Sequence, residues 1–391
     1  MQNKSICFIT NAYPDFPSSC RGIFIKQMVL FLLRSGYKIT VVTPKIFKRS
    51  PYFEIQNGVT VYRFPFLSGN RLLIEYPKIP YLRMILYFLS GSCIGVYAML
   101  KHRCSMIHAH WAIPTGLIGV WIGFLLRKPL IVTIHGSDYR MSVEGSGLLK
   151  RLFLHVCQRA NHIICVSKGL KNEVESKGIP RRKLSTLPMG VDETFIESSK
   201  KRVVSQGSRP FAVLSNRKFL PIYNISLLIR AIPLVLQEES NVRFIIAGDG
   251  PERDQLEKQA KDSKIGPPAQ FLGWVRHEEM ADLLSKAEIY ISTSLDDGTS
   301  VSLLEAMASG AFPIVTDIPS NREWIKDGEN GFLFPTSNER LLAVRIIEAL
   351  RNEELREKAR EMNLEMVKAR AYWEINIQKM IELYDRYLKK S

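Results

Sequence analysis

Short apolar runs alternate with longer stretches in which apolar residues recur every three or four positions. The first kind reads as buried strand, the second as a helix with one face inward. Ile6 to Thr10 is the first strand. A loop with Pro14, Pro17 and Gly22 follows, then a helical pattern from Ile23 to Arg34 closed by Gly36. Lys38 to Thr43 and Val59 to Phe64 are further strands, and residues 65–80, with three prolines, read as loop. An apolar helix, Met84 to Leu100, comes next. Strands at Met106–Trp111, Leu130–His135, His162–Val166 and Lys183–Pro188 then alternate with helices at Thr115–Leu126, Leu148–Arg159 and Leu170–Lys177. This rhythm predicts a parallel sheet with helices on both faces.

Residues 193–209 break the rhythm with four serines and four basic residues, and read as a linker. A second alternating series follows. Its strands are Phe211–Ser215, Val242–Ala247, Ala269–Leu272, Glu288–Thr293 and Ala311–Thr316. Its helices are Ser226–Gln237, Glu252–Asp262, His277–Ser285 and one after Ser300, with more from Asn338 onward. Arg370 to Lys389 is a last amphipathic helix with Tyr372, Trp373, Ile377, Ile381 and Tyr384 available to pack. The expected fold class is α/β, two Rossmann-like doubly wound domains facing a cleft. The expected division is 1–192, a linker at 193–209, 210–369, and a terminal helix at 370–391. Open sheets of this kind bind ligands beyond the carboxyl ends of their strands.

Composition narrows the class. The chain has 391 residues, 46% of them hydrophobic, which is ample for two cores. Six cysteines lie scattered without a CxxC pair. That fits reduced thiols in a cytosolic protein rather than a zinc site or a disulfide frame. The charge is uneven: residues 1–200 hold 27 Lys+Arg against 10 Asp+Glu, and the remainder 27 against 28. A basic first half suggests an anionic partner. No aromatic–arginine interleaving or nucleic-acid module is present, so nucleic acid is not expected. Met84 to Leu100 lies between Arg83 and Lys101 and carries Ser90-Gly91-Ser92 and Gly95. At 17 residues it is shorter than the roughly 20 a spanning helix needs. It reads as a buried or membrane-surface helix. Together these features predict a cytoplasmic protein, peripheral on the inner face of the membrane.

The most informative stretch is Leu295 to Asp317, LDDGTSVSLLEAMASGAFPIVTD. It leaves a strand, passes through the small-residue turn Asp296 to Ser300 and becomes a helix. Thr299 or Ser300 can cap that helix, and Val301, Leu304 and Ala308 recur at helical spacing. Gly298 sits in the turn, Asp297 just before it, and Glu305 about two turns inside. A helix N-terminus attracts phosphate. Two carboxylates flanking such a cradle suit a ligand with phosphates in its middle and hydroxyl groups at both ends, a nucleotide-sugar. An ordinary turn, cap and solvated glutamate would leave the same spacing.

Other strand ends carry chemistry. Arg217-Lys218 ends the first strand of the second series, and Gly248-Asp-Gly250 and Gly273-Trp-Val275 end later ones. Arg21-Gly22 precedes the first helix, where a glycine lets the loop approach a ligand closely. His108-Ala-His110-Trp111 and His135-Gly-Ser-Asp138 end two strands of the first series. No set has metal-ligand spacing.

Asp297-x7-Glu305 followed by Ala306-Met-Ala-Ser-Gly310 resembles the Glu-x7-Glu signature of the large retaining glycosyltransferase family 4. The resemblance implies the GT-B plan, with the last helix crossing back to the first domain, and transfer of a sugar from a nucleoside-diphosphate sugar to a lipid-linked or saccharide acceptor. Arg217 and the helix amides would stabilise the leaving diphosphate, so no metal or cofactor is expected. The resemblance also implies Glu305 on the ribose, Asp297 on the donor sugar, Arg217 on the diphosphate and His135 beside the sugar, with Asp138 its neighbour. Gly22, Gly248, Gly250, Val275, Gly298, Thr299 and Ser300 would line the donor, and His110 the acceptor side. Two positions depart from the family. The first acid is Asp, one methylene shorter, and the usual lysine region reads Leu220-Pro-Ile-Tyr-Asn224. Lys218 is then the substitute cation. A nucleotide-sugar-binding protein that has lost catalysis is the alternative these departures raise.

Overall fold

A computed structural model describes residues 4–16, 19, 21–76, 78–143, 145, 147–200 and 210–389. The chain divides into two compact units: residues 1–189 with 373–391, and residues 190–372.

In the first unit eight strands form one sheet: β1 (Ser5–Thr10), β2 (Lys38–Lys45), β3 (Phe53–Gln56), β4 (Val59–Pro65), β5 (Met106–His110), β6 (Leu130–Ile134), β7 (His162–Cys165) and β8 (Leu184–Thr186). Their order is β3-β4-β2-β1-β5-β6-β7-β8. All neighbours are parallel except β3, which pairs antiparallel with β4. β1, β5 and β6 are buried along their whole length, as strands covered on both faces should be. The first helix spans Ile23–Arg34, as its periodicity predicts.

The long apolar helix runs Tyr81–Lys101. Gly91 and Gly95 lie on its inner side: a Cβ on either would stand 2.6 and 2.4 Å from the tips of Ile118 and Ile122. The glycines therefore let the helix Leu117–Leu126 pack close. By length and composition the longer helix could cross a membrane, but part of it is buried against the rest of the unit. Its other side leaves Leu82, Ile85 and Leu89 exposed, and the partner helix exposes Trp121, Phe124 and Leu125. The terminal helix Trp373–Leu388 belongs to this unit: Trp373 stacks on Phe31 with centroids 6.1 Å apart, and Tyr37 donates to Asp385 at 3.1 Å.

The second unit has six strands, all parallel: β9 (Phe211–Ser215), β10 (Val242–Ala247), β11 (Ala269–Gly273), β12 (Ile289–Ser292), β13 (Phe312–Thr316) and β14 (Phe332–Phe334). Their order is β11-β10-β9-β12-β13-β14. This is the doubly wound order of a dinucleotide-binding sheet, which reverses between β9 and β12.

The linker and the terminal helix differ from the sequence reading, and the long apolar helix is 21 residues where the sequence pattern marked 17. Residues 193–200 of the predicted linker form a helix, Glu193–Lys200, whose Phe195 and Ile196 are buried in the second unit's core. Two apolar residues among six polar or charged ones hid it. Residues 201–209 lie outside the described residues. The last helix also starts later than Arg370. A helix Glu353–Ala371 precedes it, and the chain breaks at Tyr372, whose extended backbone bridges Val191.

Candidate active site

The site in the second unit sits where the sheet order reverses. β9 and β12 are neighbours there, and their carboxyl ends deliver Arg217 and Asp297. One guanidinium nitrogen of Arg217 donates to Asp297 in a short ion pair, and another donates to Ser300 Oγ at 2.7 Å. The Tyr223 ring lies under the guanidinium, 4.3 Å from its carbon. Burial works against the positive charge of Arg217, but Asp297 and the neighbouring tyrosines outweigh it and raise the pKa, so the arginine stays charged. Its Nε is buried without a hydrogen-bond partner among the described residues. A polar atom placed so at a strand end suits a polar ligand or water.

Between the candidate caps, the structure selects Ser300: its Oγ accepts from the Leu303 amide at 3.2 Å and opens the helix Val301–Ser309. Thr299 is buried beside it, and the Gly298 amide donates to Asp297 Oδ1 at 3.1 Å. The turn therefore ties cap, acid and arginine into one cluster. The helix is buried from Leu303 to Ser309, not only along the predicted stripe. The helices Glu193–Lys200 and Glu353–Ala371 cover its other sides.

That burial governs Glu305. Its carboxyl is pushed up to about 8, first by burial and then by the nearby Asp192, with Arg217 opposing. His277 Nδ1 stands 3.8 Å from Glu305 Oε1. Burial lowers the pKa of His277, so the histidine does not hold the glutamate ionised. Sequence reading singled out neither His277 nor Asp192. One lies at a helix start and one ahead of a helix read as linker, with no motif around either.

The glycine loops serve this cluster through backbone fit. A Cβ on Gly248 would stand 2.2 Å from the Arg217 carbonyl oxygen, and one on Gly250 2.4 Å from that of Phe219. The Gly248 amide donates to Gly273 O at 2.8 Å, which joins two strand-end loops. Val275 is half-buried against the apolar core. Lys218 turns away from its neighbour: its ammonium lies 6.0 Å from the Trp274 ring centroid, while Arg217 faces Asp297.

The first unit has its own switch point, between β1 and β5. Gly22 caps the helix that follows β1 with φ 67°, and a Cβ there would stand 2.3 Å from Ala12 O. Arg21 clamps the same loop, donating to both Asp15 oxygens at 2.6 and 3.0 Å and to Asn11 O at 2.6 Å. Gly22→Ala is expected to destabilise the protein by about 1–3 kcal/mol, because it adds both backbone strain and a backbone clash. Urea unfolding measures this; an unchanged midpoint would mean that the loop is free to shift.

His135 follows β6, half-buried, with Trp111 4.3 Å and Phe24 5.5 Å from its ring centroid. Trp111 itself has φ 71°, rare for a bulky residue and typical of backbone held under constraint at functional sites. Asp138 is a neighbour of His135 through the main chain. Its Oδ1 accepts from the His135 and Gly136 amides, each at 3.1 Å, and its Oδ2 from the Ala112 amide at 2.6 Å. It thus ties the β5 and β6 ends together. His110 does not line an acceptor surface as expected, because it is wholly buried beneath His135. Among the described residues no three His, Cys, Asp or Glu side chains gather as a metal set would.

The two doubly wound sheets, the second with a charged arginine, a capped helix and two acids at its switch point, are those of the GT-B fold. Residues 22–195 match the family model described as Glycosyltransferase Family 4, and residues 196–366 the one described as Glycosyl transferases group 1. The chain belongs to this family of glycosyltransferases. It is 26% identical over 319 residues to an uncharacterized glycosyltransferase of Methanocaldococcus jannaschii, covering 81% of this chain and 85% of that protein. It is 27% identical over 303 residues to the alpha-monoglucosyldiacylglycerol synthase of Streptococcus pneumoniae, covering 71% and 66%. Among solved structures, sucrose-phosphate synthase from Thermosynechococcus elongatus aligns with a TM-score of 0.80 at 17% identity, over 99% of this chain and 100% of that one. Anabaena HepE, solved with UDP-glucose, gives 0.74 at 17% identity, over 98% and 99%. At these identities the structural likeness is one of fold.

Proposed function

We propose that this glycosyltransferase takes a sugar from a nucleoside diphosphate and retains its anomeric configuration. The observation that carries the reading is the Arg217–Asp297–Ser300 cluster at the start of the helix that bears Glu305. As the anomeric bond breaks, the leaving diphosphate gains negative charge. Arg217 and the first-turn amides supply fixed positive charge there, so transfer needs no metal. Asp297 holds the donor sugar's hydroxyls, Glu305 the ribose hydroxyls, and His135 faces the sugar. With Asp297 engaged in this way, no carboxylate is assigned as a nucleophile. The acceptor attacks from the face the diphosphate leaves, and the departing phosphate takes its proton.

The test is transfer or slow hydrolysis of UDP-, GDP-, CDP- and ADP-sugars, with the product anomer read by NMR and EDTA present in one arm. A retained anomer and activity that survives EDTA are expected. An inverted product would overturn retention, and rescue of lost activity by Mg²⁺ or Mn²⁺ would overturn metal independence. One observation favours a second reading, a donor-binding protein without turnover: Tyr223, in the segment where the family carries lysine, leaves Arg217 as the cation paired with Asp297. Specific thermal stabilisation by one donor, with no turnover, would support it.

We place the reaction at an anionic membrane surface, on a lipid-linked or saccharide acceptor. The uneven charge supports this, as do the apolar outer sides of the helices Tyr81–Lys101 and Leu117–Leu126. The relative named for a glucosyldiacylglycerol acts, by that name, on a lipid. Basic residues near such a surface contribute about 1 kcal/mol each, less as salt rises. Sedimentation with anionic vesicles is expected to weaken with salt, and to fall when Arg71, Lys78, Arg83 and Lys101 are neutralised. Equal binding to neutral vesicles would remove the electrostatic argument.

A further inference from the structure

His110 has no part in the proposed transfer, yet its imidazole bonds directly to that of His135, the histidine placed at the sugar. His110 Nδ1 lies 3.1 Å from His135 Nε2. The other nitrogen of His110, Nε2, is buried with no hydrogen-bond partner among the described residues. The adjacent His108 cannot supply one, since its two nitrogens meet the hydroxyls of Tyr384 at 2.6 Å and Thr133 at 2.8 Å. Burial lowers the pKa of both His110 and His135, and for His110 the neighbouring imidazoles lower it further, so both rings are neutral at ordinary pH.

A bond between two neutral imidazoles has one N–H donor and one bare nitrogen as acceptor. Two arrangements satisfy it. In the first, His110 donates from Nδ1, and its buried Nε2 is a bare lone pair. In the second, His135 donates from Nε2, His110 carries its proton on Nε2, and a buried N–H is left without an acceptor. Orphaned buried N–H groups are rarer in proteins than under-satisfied acceptors. The first arrangement follows.

We infer that His110 is a positioning residue: it holds His135 in the tautomer with a bare Nε2 and a proton on Nδ1, so that His135 meets the sugar as a hydrogen-bond donor. The inference rests on the reading that His135 faces the sugar. Trp111 and Phe24 flank the same ring and fix its plane, while His110 fixes which edge carries the proton. A donor at that edge suits a sugar hydroxyl or ether oxygen and disfavours a protonated amino group there.

The experiment is long-range ¹H–¹⁵N NMR of the full chain labelled with ¹⁵N-histidine, with the His135 signal assigned by its loss in His135→Gln. The expected result is an Nδ1-protonated His135 in the unmodified protein, shifting to the Nε2-protonated form or a mixture in His110→Phe. His110→Asn, whose amide nitrogen can occupy the place of Nδ1, is expected to restore the Nδ1–H form. Steady-state transfer by His110→Phe should lose about tenfold in kcat, the worth of one misdirected hydrogen bond, and His110→Asn should regain most of it. An Nε2-protonated His135 in the unmodified protein overturns the inference whatever the activity, even where a variant fails to fold. An unchanged tautomer in His110→Phe also overturns it. Full transfer by His135→Gln beside the expected tautomer would overturn instead the placing of His135 at the sugar.

Discussion

Arg217→Ala is expected to lower the transfer rate by about a hundredfold to a thousandfold. That is the usual cost of removing one fixed donor from the point where negative charge develops. The geometry makes the residue hard to replace. One guanidinium nitrogen is spent on Asp297 and another on Ser300, so a planar fork is needed to hold the acid and the helix cap together. Arg217→Lys keeps the charge but not the fork, and should recover only part of the rate. Removing the arginine also leaves Asp297, half-buried, without its partner. Breaking one side of a buried pair is destabilising, so Arg217→Ala should melt earlier than Arg217→Ala combined with Asp297→Asn. Rates and melting temperatures measured on the same preparations separate the two effects. A wild-type rate for Arg217→Ala would remove it from the diphosphate. Lys218, which lies toward Trp274, would be the next cation to test.

The strand-helix alternation of both units was legible because the buried strands are continuous apolar runs and the helices between them are long and periodic. What was not legible has short-range causes. β3 is four half-exposed residues, and β14 is three, too short for any period to show. The helix Glu193–Lys200 carries its two buried residues, Phe195 and Ile196, side by side among polar ones. Strand-end position, together with the resemblance to the Glu-x7-Glu signature, marked Arg217, Asp297, Ser300 and Glu305 as candidates. Their grouping came from the strand order, which brings β9 beside β12 across more than 70 residues of chain. The different partners of Arg217 and Lys218 were equally hidden, because the chain leaves the regular strand at that point and alternation no longer applies. His110 was misread because strand ends look alike in sequence whether their side chains face a ligand or the core.

Glu305 is expected to show the largest effect on donor binding, and its burial makes that effect depend on pH. Loss of a hydrogen bond from a charged group to a ligand hydroxyl costs about 2 kcal/mol or more, so Glu305→Ala should weaken donor binding at least thirtyfold or so. Unchanged affinity in the folded variant would sink the ribose assignment. The sign of the pH effect follows from the carboxyl being pushed up to about 8 in the folded protein, against roughly 4.3 for a free glutamate. Between those values the folded state binds more protons at this position than the unfolded state. Stability contributed by Glu305 is therefore present at low pH and is lost as pH rises from about 4.3 toward 8. Glu305→Gln, neutral at every pH, should remove that loss: its melting temperature should match the parent near pH 5 and exceed it near pH 8. A donor placing ribose hydroxyls against Glu305 supplies hydrogen bonds to the charged form, which favours ionisation. Donor binding near neutral pH should then release a fraction of a proton, measurable by calorimetry in buffers of different ionisation enthalpy, and Glu305→Gln should release less. Equal proton release by parent and variant would show that the buried carboxyl does not titrate with the donor, and that some other group carries the linkage.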